Sequence, residues 1–479
     1  MGCDRFTGAA RLTADVQDRK AREPFHAAAS SISRRQFVSR AARGSAALAG
    51  ATSVLSAVSS LRAQGANERV VLALVGAGGR GSGLASNFAQ IPGVEFKYIC
   101  DADQNRGAGL LADLEKKQGR APQRLRDMRA ALEDKDVQGV VVATPEQWHA
   151  LATVWACQAG KDVYVEKNTS LTLWEGRKMI EAARKYRRVV QVGFQNRSAP
   201  YGVTAREYIQ SGKLGRVVLV KVFNLLEGGP WQPQPDTAPP AGLDWDLWLG
   251  PAPEVPYNRG RHLGWNDWWD YAGGPFSGDA SHQLDLTRMA LGDPPAPQSV
   301  YCAGGRLAFP DKREMPDLLT VTYDYGDFVM TCESGNFTPY MRKFPQEVRY
   351  GTQWPYWPQS SCRVEIYGTK NLMYLGRHGG GWQVLDAGGK VIAEDKGYFP
   401  DKWHQPNFIE CVRSRQQPNA DIEQSHHSGC LIHLGVAAFR TGKQLLHFDA
   451  ATERFTNSDA ANQMLRPAYR KHYRVPDEV

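Results

Sequence analysis

The sequence predicts an α/β protein whose first half forms a doubly wound parallel sheet. Three observations indicate this fold class: continuous apolar runs that end in polar residues, a glycine-rich turn directly after the first run, and helix-like segments between the runs. The chain has 479 residues, 23% charged and 42% hydrophobic, which suits two or three domains with buried cores. This composition excludes disordered, collagen-like and low-complexity proteins.

The first apolar run, 69–75, leads directly into Gly76-Ala77-Gly78-Gly79-Arg80-Gly81, which fits G-x-G-x-x-G. A helix is predicted over 84–90 and a strand over 94–100, followed by Asp101, 20 residues after the last glycine. In this order the glycines allow a tight turn and close approach to a pyrophosphate, and the acid binds ribose hydroxyls. The pattern therefore predicts a Rossmann domain that binds a dinucleotide.

The acid at the end of the second strand bears on which dinucleotide is bound. Asp101 and the nearby Asp103 would repel a 2′-phosphate, so we expect NAD as the cofactor. NADP is the alternative, because Arg80 or Arg106 would accommodate the additional phosphate.

Strands and helices of the same kind continue to about residue 195. Strands are predicted over 139–143, 162–165 and 189–192, with helices over 147–159 and 173–186 between them. Ligands of such sheets bind at the carboxyl ends of the strands. The residues at those ends are Gly76, Asp101, Thr144, Glu166 and Gln195.

These motifs resemble those of the Gfo/Idh/MocA oxidoreductases, named for glucose–fructose oxidoreductase and inositol dehydrogenase. The resemblance rests on the GAGGRG turn, Ala143-Thr144-Pro145 with His149, Glu166-Lys167 and Gln195-Asn196-Arg197. It continues at Trp245–Pro251 and Asp279–Asp285, which look like the exported members. It implies a C-terminal α/β domain with an open, mostly antiparallel sheet, which commonly forms the oligomer interface.

The predicted organisation is a leader over 1–63, an NAD(P)-binding Rossmann domain over 68–195, and a C-terminal substrate and oligomerisation domain over 196–479. We expect a homo-oligomer that assembles through the C-terminal sheet. The motifs and the resemblance assign twelve residues to the cofactor. They are Gly76, Gly78, Gly79, Arg80, Gly81, Asp101, Thr144, Pro145, His149, Glu166, Lys167 and Gln195.

The substrate is expected to be a small carbohydrate. The Pro/Gly/Trp-rich stretch 228–274 is long for a loop in a compact protein, and its aromatic faces suit sugar rings. The candidate substrate contacts are Arg197, Arg261, His262, Trp268 and Tyr271.

Hydride transfer from a carbinol carbon needs one group that takes the hydroxyl proton and others that hold the oxygen. Lys167 is assigned to the oxygen and His282 to the proton, since a histidine pKa of about 6.5 suits that task at neutral pH. Asp279 is expected to orient His282 or to bind a neighbouring hydroxyl. Asn168 and Gly278 depart from the family, which usually has Pro after the lysine, often with a cis peptide bond, and often Asp four residues before the histidine.

The leading prediction is an NAD(P)-dependent oxidoreductase that acts on a sugar, a cyclitol or a derivative. One alternative is an NAD-dependent glycosidase or lyase that oxidises its substrate transiently, with no net redox change. Another is a non-catalytic sugar- or cofactor-binding protein on the same scaffold.

The net charge of +8 comes mainly from the leader. Residues 1–63 carry ten basic and four acidic side chains, whereas the rest of the chain carries 48 and 46. Nucleic-acid binding is therefore not expected. Arg34-Arg35 before the Ala/Ser-rich run 44–61 resembles a twin-arginine export signal, so we expect a periplasmic or exported protein, anchored to the membrane only if the leader is uncleaved.

The eight cysteines form no C-x-x-C pair and show no metal-type spacing. We expect small buried thiols rather than a disulfide framework. No metal site is predicted.

Overall fold

The computed structural model describes residues 69–470 and 472–479. The leader and its twin-arginine motif lie outside these residues. The described chain forms a six-stranded sheet followed by a ten-stranded sheet. The predicted fold class is confirmed, with a parallel Rossmann sheet and a mostly antiparallel C-terminal sheet.

The first sheet is parallel throughout, with the strand order β3-β2-β1-β4-β5-β6. All six residues of the first strand are buried, as expected for a strand covered by helices on both faces. The strands are Val70–Val75 (β1), Val94–Cys100 (β2), Gln123–Leu125 (β3), Gly139–Val142 (β4), Asp162–Val165 (β5) and Val190–Val192 (β6). The order reverses between β1 and β4, which places the ligand crevice there.

Five helices accompany this sheet: Gly79–Phe88 (α1), Ala108–Gln118 (α2), Arg129–Glu133 (α3), His149–Gln158 (α4) and Leu173–Lys185 (α5). Helix α1 begins five residues earlier than predicted, because the glycine motif itself forms its first turn. Helix α5 begins at a capping box in which Thr172 and Glu175 satisfy each other's backbone N–H groups.

The second sheet has the order β14-β13-β12-β11-β7-β10-β9-β8-β15-β16, and β7 with β10 is its parallel pair. Its strands are Val217–Leu226 (β7), Ser299–Gly305 (β8), Leu318–Asp324 (β9), Val329–Asn336 (β10), Arg363–Gly368 (β11), Leu372–Gly376 (β12), Gly381–Leu385 (β13), Val391–Asp395 (β14), Leu446–Asp449 (β15) and Arg454–Phe455 (β16). Burial alternates along β9, so one face is covered and the other is partly open. Oligomerisation through this sheet stays a prediction.

The helices of the second half are Pro200–Gln210 (α6), Trp245–Leu249 (α7), Arg259–Leu263 (α8), Ser281–Ala290 (α9), Gln346–Arg349 (α10), Asp401–Ser414 (α11), Ile422–Arg440 (α12) and Asp459–Met464 (α13). Helices α6, α9 and α12 contribute buried residues to the core of the second sheet. None of the helices in the described ranges has the combination of length and hydropathy that a membrane crossing requires.

The core of the first domain also contains residues from the end of the chain. Phe408 in α11 lies against Phe88 and Tyr164, with ring centroids 6.0 and 5.9 Å apart. Tyr473 and Val475 join the hydrophobic cluster on the other face of the parallel sheet. The predicted division at 195/196 marks the end of that sheet, but later residues complete its packing.

The seven cysteines of the described residues are buried free thiols, as expected.

Candidate active site

A cavity of about 270 Å³ lies at the carboxyl ends of β1, β2 and β4, and is called the cofactor cavity below. Seven of the twelve predicted cofactor residues line it: Gly76, Gly78, Gly79, Arg80, Asp101, Thr144 and Pro145. The predicted residues Gly81, His149, Glu166, Lys167 and Gln195 are not in its wall.

Two glycines of the motif are needed for close backbone packing, and two others leave open space beside the loop. Gly76 has a φ of +94°, and a Cβ there would lie 2.7 Å from the Ala143 carbonyl oxygen. A Cβ on Gly81 would lie 1.9 Å from the Gly76 carbonyl oxygen, so Gly81 lets α1 pack against the strand end. A Cβ on Gly78 or Gly79 would meet nothing within 4 Å, so this side of the loop is open to a ligand.

The open side of the loop suits a pyrophosphate. Gly78 is the N-cap of α1 and offers no side-chain hydrogen bond to the first N–H groups of that helix. Those donors and the helix dipole favour an anion. Thr144 lines the same cavity, and its buried hydroxyl has no hydrogen-bond partner in the part of the chain that the structure describes. The residues present therefore fit a dinucleotide cofactor.

Gly78→Ala is expected to weaken NAD binding at least about tenfold without loss of stability, because the added methyl occupies only the space left for the pyrophosphate. Titration calorimetry with NAD and a thermal melt would measure the two effects. Gly83→Ala in the same helix also meets nothing within 4 Å and is the matched control. Equal NAD affinity in both variants would contradict this placement of the pyrophosphate.

Asp101 stands at the end of β2, where a ribose is expected. Its Oδ2 accepts the Ala77 N–H at 2.7 Å and its Oδ1 accepts the Asp103 N–H at 2.8 Å. Burial raises the pKa of Asp101, although both N–H groups oppose the shift. The backbone thus fixes the carboxylate at the strand end.

The two arginines considered for a 2′-phosphate already have carboxylate partners. Arg80 binds Glu166 at 2.9 Å and Asp401 at 3.3 Å. Arg106 lies 3.5 Å from Asp103 at the cavity. This arrangement favours NAD over NADP.

The predicted residue His149 lies beneath the cofactor cavity and supports its wall. Its Nδ1 is 2.6 Å from the Asn168 carbonyl oxygen and its Nε2 is 3.0 Å from that of Thr144. Burial lowers the pKa of His149. The histidine therefore connects the end of β4 with the loop that carries Lys167.

Glu166 and Gln195 lie beside the cofactor cavity and contact each other. The Gln195 amide donates to Glu166 at 3.4 Å and to the Tyr164 hydroxyl at 3.2 Å. Burial alone would raise the pKa of Glu166, but the charges of Arg80 and Lys167 lower it. Glu166 is thus a carboxylate that holds Arg80 at the cavity wall.

The structure brings together the three predicted catalytic residues. Lys167 donates through Nζ to the carbonyl oxygen of Gly278, which immediately precedes Asp279. His282 lies in the first turn of α9, four residues after Gly278. The Lys167–Asn168 peptide is cis, as the resemblance implies for the proline that the family has here.

Asp279 does not orient His282, contrary to the first of its two predicted roles. Its Oδ1 accepts from Arg377 at 2.8 Å and its Oδ2 from Lys343 at 2.7 Å. Burial alone would raise the pKa of Asp279, but the charges of Arg377 and Lys343 hold it well below its usual value. Neither cation was predictable from the sequence near Asp279, because they lie 98 and 64 residues away along the chain.

His282 lies in a positively charged surrounding. Its ring packs edge-on against Phe194, with centroids 5.9 Å apart, and lies 6.4 Å from that of His378. Burial, followed by the charges of Arg377 and Lys167, lowers the pKa of His282 well below its usual value. The same cations oppose a positive charge on the ring, so the surroundings of His282 do not favour the role of proton acceptor that the sequence predicted.

Arg197, a predicted substrate contact, is held in two ion pairs within the fold. Its Nε binds Asp285 at 2.7 Å and a terminal nitrogen binds Asp293 at 2.8 Å, with the side chain only 4% exposed. The guanidinium therefore forms ion pairs with two carboxylates of the fold, through Nε and through a terminal nitrogen.

The other predicted substrate residues separate into two places. His262 lines the cofactor cavity together with Trp248 and Trp265. The predicted sugar-binding stretch thus lies partly over the cofactor cavity, because Asp103 forms a bridge with Leu243 that attaches the stretch to the end of β2.

Arg261, Trp268 and Tyr271 form a separate cluster. The Arg261 guanidinium lies 3.9 Å from the Trp268 ring centroid, donates to Asp270 at 2.9 Å and is 3.3 Å from the Tyr271 hydroxyl. Tyr271 is fully buried, and burial raises its pKa to about 12. These contacts hold the stretch together, so a substrate role for Tyr271 is not supported.

A second cavity, of about 360 Å³, is called the Glu146 cavity below and also touches Asn168, next to Lys167. Burial raises the pKa of both Glu146 and Glu175 in its wall to about 7. Glu175 caps α5 and accepts from the Tyr469 hydroxyl at 2.6 Å.

Glu175→Gln is expected to remove part of the pH dependence of stability. The pKa of Glu175 is higher in the folded state than in the unfolded state, so the folded protein binds the proton more tightly. This contribution to stability is fully present below about pH 4 and is lost as the pH rises through about 7. Urea unfolding should show that the wild type loses about 3 kcal/mol over this range relative to the variant. Glu181→Gln on the exposed side of α5 is the control, and an equal pH slope in wild type and Glu175→Gln would contradict the assignment.

Comparisons with known proteins agree with this architecture. The oxidoreductase family model for the NAD-binding Rossmann fold matches residues 70–194. The family's model for the C-terminal alpha/beta domain matches 225–333 and 381–475. Together the two models span more than half of the chain.

Individual relatives are distant. The scyllo-inositol 2-dehydrogenase (NAD(+)) of Bacillus subtilis is 24% identical over 78% of this chain and 95% of its own. The uncharacterized oxidoreductase YrbE of the same organism is 24% identical over 63% and 72%. A structure of levoglucosan dehydrogenase with NADH and levoglucosan has a TM-score of 0.58 at 17% identity, covering 79% of this chain and 99% of that one. The chain belongs to the Gfo/Idh/MocA family of NAD-binding oxidoreductases.

Proposed function

We propose that this protein transfers hydride between NAD and a carbinol carbon of a sugar, a cyclitol or a derivative. The observation that carries the proposal is the hydrogen bond from Lys167, at the end of the parallel sheet, to Gly278 in the segment that leads to His282. This hydrogen bond joins the two domains four residues before His282, and Lys167 is near enough for its charge to lower the pKa of His282. The names of the relatives, a scyllo-inositol dehydrogenase and a levoglucosan dehydrogenase, support the substrate class.

The residues take distinct roles in the proposed reaction. Bound NAD would accept or return the hydride. Lys167 would hydrogen-bond the reacting oxygen and stabilise negative charge that develops there. His282 would hold the same hydroxyl through its neutral ring, and Asp279, fixed by Arg377 and Lys343, would accept from a neighbouring hydroxyl.

We also propose that the protein is exported by the twin-arginine route with its cofactor already bound. The motif Arg34-Arg35 supports export, because this route suits proteins that fold before they leave the cell. Trp248, His262 and Trp265 in the wall of the cofactor cavity support retention of the nucleotide.

The deciding experiment is mass spectrometry and absorbance of the small molecules released from denatured protein, followed by assays without added cofactor. We expect NAD(H) in the protein and its reduction by a sugar or cyclitol from a panel that includes scyllo-inositol and levoglucosan. Protein that neither holds nor binds a nicotinamide nucleotide would overturn the proposal. Cleavage of a glycoside with no net change in NAD would favour the redox-assisted glycosidase instead.

A further inference from the structure

The proposed reaction releases one proton that must leave a buried site. The carbinol carbon gives a hydride with its electron pair to NAD⁺, and its hydroxyl gives a proton, so the products are a carbonyl compound, NADH and H⁺. Arg377 and Lys167 oppose a positive charge on His282, which makes His282 a poor final holder of this proton. A carboxylate with a route to solvent would be better suited.

Three carboxyls lie near Lys167: Glu146, Glu166 and Asp279. Glu166 and Asp279 are held in ion pairs with arginine or lysine side chains, whereas Glu146 forms no ion pair among the described residues. Glu146 is therefore the carboxyl of the three that is available to exchange a proton.

Glu146 follows Pro145, which lines the cofactor cavity, and it is 2% exposed. Its Oε1 accepts from the Ser277 hydroxyl at 2.7 Å, and the next residue, Gly278, accepts from Lys167. Lys167 is close enough for its charge to lower the pKa of Glu146.

Beyond Glu146, the Glu146 cavity leads to the surface. Its outer rim contains the exposed residues Arg440, Gln463 and Arg466. Gln147 lines the same cavity, and its buried Oε1 has no hydrogen-bond partner among the described residues, as expected where water completes a polar site. The other titratable groups in the wall are Glu175, Asp270, His433 and Tyr469.

We propose that Glu146 is a proton relay that connects Lys167 with solvent through the Glu146 cavity. During alcohol oxidation Lys167 takes the hydroxyl proton as it gives one of its own to the Glu146 carboxylate. Lys167 is therefore an ammonium before and after this exchange, and Glu146 passes the proton to water in the cavity. The reverse sequence supplies the proton for carbonyl reduction. The inference rests on the proposed function.

Glu146 suits a relay better than Glu175, the other buried carboxyl of this cavity. Burial raises its pKa to about 7, so it gains and loses a proton near neutral pH. Glu175 has a similarly raised pKa, but its carboxyl is bound to Tyr469 and to the start of α5. Glu175→Gln is therefore a matched control, with the same substitution in the same cavity.

The first test needs neither sugar nor NAD. Infrared difference spectra of the carboxyl C=O stretch, taken between about pH 5 and about pH 9, should show a group that titrates near neutral pH. The carboxyl band of Glu146 should be missing from the spectrum of Glu146→Gln, and that of Glu175 should be missing from the spectrum of Glu175→Gln. An unchanged spectrum in Glu146→Gln would overturn the proposal.

The second test is single-turnover reduction of bound NAD by the sugar or cyclitol that the assay panel identifies. Glu146→Gln should lower the rate about 10- to 100-fold and abolish the rise in rate with pH through about 7, with unchanged NAD affinity. Glu146→Asp should restore the pH dependence in part, whereas Glu175→Gln should resemble the wild type. A wild-type rate and pH profile in Glu146→Gln would overturn the relay.

Ser277→Ala provides a variant that keeps the carboxyl, should Glu146→Gln fail to fold. The Ser277 hydrogen bond lowers the pKa of Glu146, so its loss should move the inflection of the rate profile to higher pH. An inflection that stays in place would contradict the relay. Wild-type protein that reduces no bound NAD with any member of the panel would instead count against the proposed function.

Discussion

Lys167→Met is expected to lower the rate of hydride transfer by about 10²- to 10⁴-fold while leaving NAD affinity nearly unchanged. Methionine is close in size but cannot hydrogen-bond a reacting oxygen or balance its developing charge. The cofactor cavity would keep its wall, because Lys167 does not line it. Stopped-flow absorbance of NADH and calorimetry with NAD would measure the two quantities.

Lys178→Met is the control for this substitution. Lys178 pairs with Glu181 on α5, and neither residue lines the cofactor cavity. Its loss should change neither rate nor affinity. If Lys167→Met lost NAD binding as fully as hydride transfer, Lys167 would be a cofactor-binding residue and the proposed role would be wrong.

Arg197→Met is expected to cost about 3 to 5 kcal/mol of unfolding free energy, because it leaves the buried carboxylate of Asp285 without its charged partner at 2.7 Å. Asp285 would keep the Ser428 hydroxyl at 2.7 Å and the charge of the nearby Arg288, but neither replaces the direct ion pair with Arg197. Urea unfolding at neutral pH would measure the loss. The large effect follows from burial, since Asp285 is fully buried.

Arg206→Met is the matched control, because Arg206 is 39% exposed and reaches Asp293 at 3.5 Å. Its removal should cost less than about 1 kcal/mol. An Arg197→Met variant of wild-type stability but raised KM would restore the substrate role that sequence analysis gave to Arg197.

The cofactor site was predictable because its signals are local. Gly76 to Gly81 and Asp101 follow buried strands at a spacing that the chemistry of a dinucleotide dictates. The outer strands β14 and β16 were not predictable in this way. Strand β14 is mostly exposed and β16 has two residues, so neither has a distinct apolar pattern.

The surroundings of the catalytic residues depend on distant pairing. Nothing near Asp279 in the sequence indicates that Arg377 and Lys343 would hold it. Arg377 directly follows β12 and Lys343 lies between β10 and α10, so only the folded second domain brings them to Asp279. The position of His262 was likewise not predictable from the residues near it in the sequence. Its aromatic neighbours indicated a sugar site, but the backbone contact of Asp244 with Ala102 turns the segment toward the cofactor cavity.

The position of Phe408 has a consequence for the order of folding. The ring closes an aromatic cluster with Phe88 and Tyr164 on the parallel sheet, and Phe408 comes more than 200 residues after the last strand of that sheet. A nascent chain of which only the first 200 residues have emerged from the ribosome therefore has a parallel sheet with one apolar face uncovered. Complete packing of that sheet must wait until helix α11 has emerged, late in synthesis.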